Sequence, residues 1–139
     1  MKTKIKQAAD FILSKISKKP TVALVLGSGL GKFADGLKNA TAISYSDIPH
    51  FPVATVEGHA GKLVIGEAGG KVVVAMQGRF HFYEGHPMHA VTFPMRVMQA
   101  IGAVDLIITN AAGGLNPAFK VGSLMLMSDH INFMGTNPL

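Results

Sequence analysis

The sequence predicts an α/β fold, in which strands and helices alternate along the chain. Three observations carry this. Two short β-branched runs, TVALVL at 21–26 and DLIIT at 105–109, have the length and composition of buried strands. Segments with helical spacing lie between the strand-like runs. Polar and glycine residues gather where those runs end, and ligands of α/β proteins usually sit beyond the carboxyl ends of the strands.

The elements follow in order. Ile5, Ala8, Ala9, Ile12, Leu13 and Ile16 recur at helical spacing, which predicts an amphipathic helix over 3–18 closed by Pro20. The 21–26 strand runs into Gly27–Gly31 (GSGLG), a tight turn opening a short helix to about Leu37. A strand is expected at 42–45 and an irregular excursion at 46–61, which holds two prolines and two glycines. Residues 62–67 and 71–76 flank Gly69-Gly70, a hairpin signal. A loop at 77–87 precedes a helix at 92–100, with Thr92 as N-cap and Pro94 in the first turn. After the 105–109 strand come a glycine-bearing loop at 110–117, a final strand at 123–131 and an irregular end at 135–139.

Composition bounds the function. The chain has 139 residues, the size of one domain, with 48% hydrophobic and only 15% charged residues. The usual charged fraction is about 25%, so extensive burial is expected, against further chain or partner subunits. Cysteine is absent, which removes disulfides and thiolate metal sites and fits a cytoplasmic location. The net charge of +5 is concentrated in Lys2, Lys4, Lys6, Lys15, Lys18 and Lys19. These lysines alternate with apolar residues and read as a solvated helix face, so no nucleic-acid partner is expected. No apolar run nears the roughly 18 residues of a membrane span, and the N-terminus lacks a signal-peptide core.

Four constellations could carry chemistry. Strand–GSGLG–helix brings backbone N–H groups and the Ser28 hydroxyl towards an anion, or is only a tight turn. It matches neither the Walker A spacing nor Gly-x-Gly-x-x-Gly, because Lys32 takes the third glycine's place. In GRFHFYEGHP (78–87), Arg79 can grip a phosphate with two parallel donors and His81 can add a third. Tyr83 offers a ring and a hydroxyl suited to a sugar, and Glu84 could receive an arginine or cap a helix. The alternative is a polar loop with aromatic residues in the core. His81, His86 and His89 lack metal-ligand spacing, so no metal is expected. TNAAGGLNP (109–117) lets a ligand approach the main chain, or is an ordinary strand exit. His59, between glycines in EGHAG (57–61), could meet an anion or be merely solvated.

Together GSGLG, EGHAG, GRFHFYEGH, TNAAGGLNP and SDHIN (128–132) resemble, in this order, the trimeric purine nucleoside phosphorylase family. The related methylthioadenosine phosphorylases share the fold, and HFYEG argues for the purine nucleoside type. The resemblance implies a mixed, partly closed sheet flanked by helices. It implies a phosphate site of Ser28, His59, Arg79, Phe80 and His81 with the backbone N–H of Ala111, and His81 as the catalytic residue. Tyr83 would lie beside the ribose, and Asn110, Ala112 and Gly113 along the nucleoside. Inorganic phosphate and a purine nucleoside would be the substrates, without a cofactor, in a homotrimer.

Family chains continue beyond this C-terminus. Residues 1–139 are therefore expected to be the N-terminal part of a single domain, carrying the phosphate half-site without the base half-site and inactive in isolation. Which purine is preferred is not written in this half. The rival expectation is a non-catalytic phosphate-binding or assembly module.

Overall fold

The structure is a computed structural model that describes residues 1–52 and 61–138. Its centre is a five-stranded sheet: β1 (Val22–Val25), β2 (Lys38–Ser44), β3 (Lys62–Ala68), β4 (Lys71–Gln77) and β5 (Asp105–Ile108), in the order β2-β3-β4-β1-β5. The sheet is mixed, as the resemblance implies. β1 pairs in parallel with β4 on one side and β5 on the other, whereas β2–β3 and β3–β4 are antiparallel. Among the described residues the edge strands β2 and β5 do not meet, so the sheet is open.

Side-chain alternation with period two assigns the faces. Ala23 and Val25, Leu63 and Ile65, and Val74 and Met76 point to one face. There they pack against Ala8 and Ile12 of helix α1 (Lys2–Leu13) and Val97 and Met98 of helix α4 (Phe93–Ala100). Leu24, Leu26, Val64, Val73 and Ala75 point to the other face, under Ala34 of the one-turn helix α2 (Lys32–Asp35) and Leu37. The β3–β4 hairpin turns at Gly69 and Gly70, both with positive φ. That is the backbone a tight two-residue turn requires.

Several expectations are corrected. α1 stops at Leu13 rather than residue 18. The Ser14 hydroxyl donates to the Phe11 carbonyl at 2.7 Å, a local bond that competes with continuing the helix. β2 begins at Lys38, earlier than predicted, and contains a register irregularity between Lys38 and Thr41, with Asn39 at φ 50°. Thr92 is not a side-chain cap of α4. It has helical φ and ψ, and its hydroxyl bonds back to Met88 in the preceding helix α3 (Met88–Val91). Pro94 does lie in the first turn, buried.

The carboxyl-terminal part differs most. β5 forms where predicted but is an exposed edge, with Leu106, Ile107 and Ile108 about half accessible. The strand predicted at 123–131 is absent, and those residues are irregular backbone with one bend, all exposed. A strand is stable only when a neighbour completes its ladder and a layer covers its apolar face. The described residues supply neither to this segment.

Candidate functional site

The parallel part of the sheet ends in three loops, and the structure brings their starts together. β1 leads into Gly27, β4 into Gly78-Arg79, and β5 into Thr109. Thr109 joins the three. Its Oγ1 accepts the Gly27 N–H at 2.8 Å and donates to the Val25 carbonyl at 3.1 Å. Its carbonyl accepts Arg79 Nη1 at 2.6 Å. Gly27 is required for this approach, because a Cβ there would lie 2.7 Å from the Thr109 carbonyl oxygen. The sequence marked Thr109 only as the start of a motif. Its role as a junction depends on the parallel pairing of β1 with β5, which no local pattern reveals.

The other loop anchors come from further elements. The buried Tyr45 hydroxyl, just after β2, donates to the Gly78 carbonyl at 2.6 Å. Burial pushes that hydroxyl's pKa far above its ordinary value, so it stays a donor. Its ring packs on Phe51 and Phe80. Gln77 Nε2 donates to the Gly31 carbonyl at 3.1 Å and to Asp35 Oδ1 at 3.0 Å, tying the end of β4 to the GSGLG turn.

Arg79 Nε donates to His81 Nε2 at 3.1 Å. A guanidinium nitrogen only donates, so His81 Nε2 accepts and carries no proton. The proton of this ring is then on Nδ1, which faces Glu84 Oε1 in a short contact. His81 is thus the neutral Nδ1–H tautomer, with its bare nitrogen towards Arg79. Glu84 was expected to receive an arginine or to cap a helix. It lies instead in a 3-10 turn at Phe82–Glu84 and holds His81. Its second oxygen, Oε2, is 3.6 Å from His86 Nε2.

The remaining expected residues are placed as follows. Ser28 is exposed on the turn closed by the Leu30 N–H to the Gly27 carbonyl. The helix expected to lend this turn its positive end is the single turn α2, whose dipole is small. The Phe80 ring is buried against Tyr45 and His86, so only its backbone is free to meet an anion. Tyr83 is exposed, its ring stacked on His81 with centroids 4.7 Å apart. Asn110, Ala111, Ala112 and Gly113 form an exposed loop beyond Thr109. His59 lies outside the described residues. Among the described residues no group of three or more His, Cys, Asp or Glu could hold a metal ion, and His89 is on α3, apart from the His81–Glu84–His86 set.

Fold and strand ends together define an α/β protein whose polar cluster lies at the carboxyl ends of parallel strands. The profile of the Phosphorylase superfamily matches residues 21–139, and the chain belongs to that family. It is 59% identical over 139 residues to "Purine nucleoside phosphorylase 1" of Bacillus subtilis, covering 100% of this chain and 51% of that protein. It is 53% identical over 134 residues to "Purine nucleoside phosphorylase" of Bos taurus, covering 94% and 46%. A crystal structure of a purine nucleoside phosphorylase in complex with ribose-1-phosphate superposes with a TM-score of 0.77 at 47% identity, covering 84% of this chain and 43% of the other. Isoform 2 from Schistosoma mansoni, in complex with cytosine and ribose-1-phosphate, gives 0.78 at 43% identity, with 83% and 40% covered. The chain spans about half the length of the curated relatives it matches.

Proposed function

We propose that the polypeptide carrying this chain is a purine nucleoside phosphorylase. It would split purine ribo- and deoxyribonucleosides with inorganic phosphate into the free base and the sugar 1-phosphate. The observation that carries the reading is the convergence of Arg79, His81 and the Gly27–Thr109 junction at the ends of three adjacent strands. The names of the similar proteins support it over a methylthioadenosine phosphorylase.

In this reading phosphate displaces the Arg79–His81 contact. Arg79 turns its fork onto the anion, and His81 donates to it from Nε2 once that nitrogen has taken up a proton, with Ser28, the backbone of Phe80 and Ala111, and His59 completing the cradle. Phosphate then attacks the anomeric carbon of the sugar, the bond from that carbon to the purine nitrogen breaks, and the base departs with the bonding electrons. Tyr83 lies against the ribose, and the loop Asn110, Ala112 and Gly113 along the nucleoside. Positioning of the dianion against an oxocarbenium-like sugar supplies the rate. The chemistry calls for no metal and no organic cofactor. A homotrimer in the cytoplasm completes the proposal.

Arg79→Ala in the full polypeptide should weaken phosphate binding about 10- to 100-fold, the worth of a charge-assisted paired contact. Nucleoside binding should change little. Arg79→Lys should recover only part, because a point charge lacks the planar fork. Isothermal titration with phosphate and, separately, with inosine measures both. Equal losses for the two ligands would assign Arg79 to the fold, through its bond to Thr109, and sink the phosphate role.

A further inference from the structure

We infer that His86 is a positioning residue for this site: it fixes Glu84, and through Glu84 it reinforces, from the Nδ1 side, the His81 tautomer that Arg79 selects from the Nε2 side. The inference rests on the phosphate reading for its purpose but not for its geometry. His86 Nε2 is buried and has no hydrogen-bond partner among the described residues. A buried ring nitrogen without a partner is unfavourable. Its charged neighbour is Glu84 Oε2 at 3.6 Å, beyond hydrogen-bond reach and within that of an ion pair.

Two imidazoles therefore address one carboxylate. His81 Nδ1 holds Oε1, and His86 faces Oε2. The Glu84 side chain is nearly buried, so it cannot swing to water without leaving this arrangement. A bare nitrogen pointed at a carboxylate would be repelled, which places the His86 proton on Nε2. From there it draws Oε2 and keeps Oε1 on His81. The edge-on contact of the His86 ring with Phe80, centroids 5.6 Å apart, holds the imidazole in that direction. Phe80 in turn packs on Tyr45, whose hydroxyl anchors Gly78 at the base of the same loop. His86 thus joins the loop's carboxylate to its aromatic support. The consequence is that His81 presents one defined nitrogen towards Arg79 and the place where the anion would lie.

The test uses the full polypeptide. His86→Phe keeps a ring against Phe80 and removes the N–H; His86→Leu is made in parallel in case the ring does not fold. His86→Gln keeps a neutral N–H of similar reach. NMR of the imidazole nitrogens of His81, recorded without phosphate, reads the tautomer directly. Phosphate titration reads the consequence. With His86→Phe or His86→Leu the part-buried Arg79 contact is left to hold the tautomer alone, so a second tautomer of His81 should appear beside the first, and phosphate affinity should fall about three- to tenfold. With His86→Gln the single tautomer and most of the affinity should return. A His81 ring that keeps its single tautomer in His86→Phe and His86→Leu would overturn the inference, as would His86→Gln behaving like His86→Phe. A purely structural His86 would lower thermal stability without changing the tautomer. The tautomer readout needs no phosphate, so failure of the phosphate reading in the Arg79→Ala experiment remains distinguishable from failure here.

Discussion

At the scale of single residues, the site depends on which atoms can donate. His81 is neutral with a bare Nε2, because Arg79 cannot accept. In the proposed reading, to donate to a phosphate oxygen while its Nδ1–H stays on Glu84, His81 must gain a proton. Binding of the phosphate dianion should therefore be accompanied by proton uptake. Titrations in two buffers of different ionisation enthalpy measure this, and equal apparent enthalpies would exclude it. Tyr45 gives a second prediction, on stability. Burial keeps its phenol neutral in the folded state, while the unfolded phenol ionises near its ordinary value of 10.0. Above that pH the unfolded chain binds fewer protons than the folded one, so stability falls as pH rises. Tyr45→Phe should remove that alkaline loss, and should cost about 1 kcal/mol at neutral pH through the lost bond to Gly78. Urea unfolding at neutral pH and at alkaline pH compares the two proteins. Thr109→Val is expected to cost more, about 1–3 kcal/mol, because it leaves the buried Gly27 N–H without its acceptor.

At the scale of elements, two glycines of the same turn should behave differently. Gly27→Ala places a Cβ 2.7 Å from the Thr109 carbonyl oxygen and 3.0 Å from Asn110 Cα, both backbone atoms that cannot give way. It should force the β1 and β5 ends apart and cost about 1–3 kcal/mol. Gly29→Ala meets nothing within 4 Å, and only its φ of 84° opposes a side chain. It should cost about 1 kcal/mol. Thermal denaturation of both variants ranks them, and a larger loss at Gly29 would contradict the junction. These elements also show what the sequence could reveal. The β3–β4 hairpin was legible because Gly69-Gly70 fixes a local turn between two apolar runs. The motif loops were legible as loops, and the family resemblance ordered them. The sequence did not show that β1 lies between β4 and β5, that Thr109 therefore meets Gly27, or that Tyr45 reaches Gly78. Each of these is a contact between segments far apart in the chain. Two errors had local causes: the Ser14 hydroxyl shortened α1, and the Thr92 hydroxyl bonded backwards rather than capping α4. The strand expected at 123–131 failed because an apolar pattern does not itself provide a neighbouring strand.

At the scale of the whole molecule, burial is uneven. Strands β3, β4 and β1 are largely buried, whereas β5 and the residues after it expose Ile107, Leu115, Leu124, Leu126 and Phe133. An open edge strand beside such apolar surface promotes association. This chain on its own should therefore self-associate with rising concentration, which sedimentation velocity measures. A single monomeric species at high concentration would mean that the surface is covered in solution. The strand order has a further consequence, for the time course of folding. β1 is made first of the five strands, yet both its neighbours, β4 and β5, are made later. As the chain leaves the ribosome, Val22–Val25 waits unpaired while the local β3–β4 hairpin closes within microseconds of its synthesis. The hairpin becomes the template onto which β1 docks, and β5 is added last. Pulsed hydrogen exchange during refolding should accordingly protect the amides of Leu63–Gln77 before those of β1, and those of β1 before β5. In the cell, the interval before β4 emerges is when β1 offers an apolar segment to a chaperone.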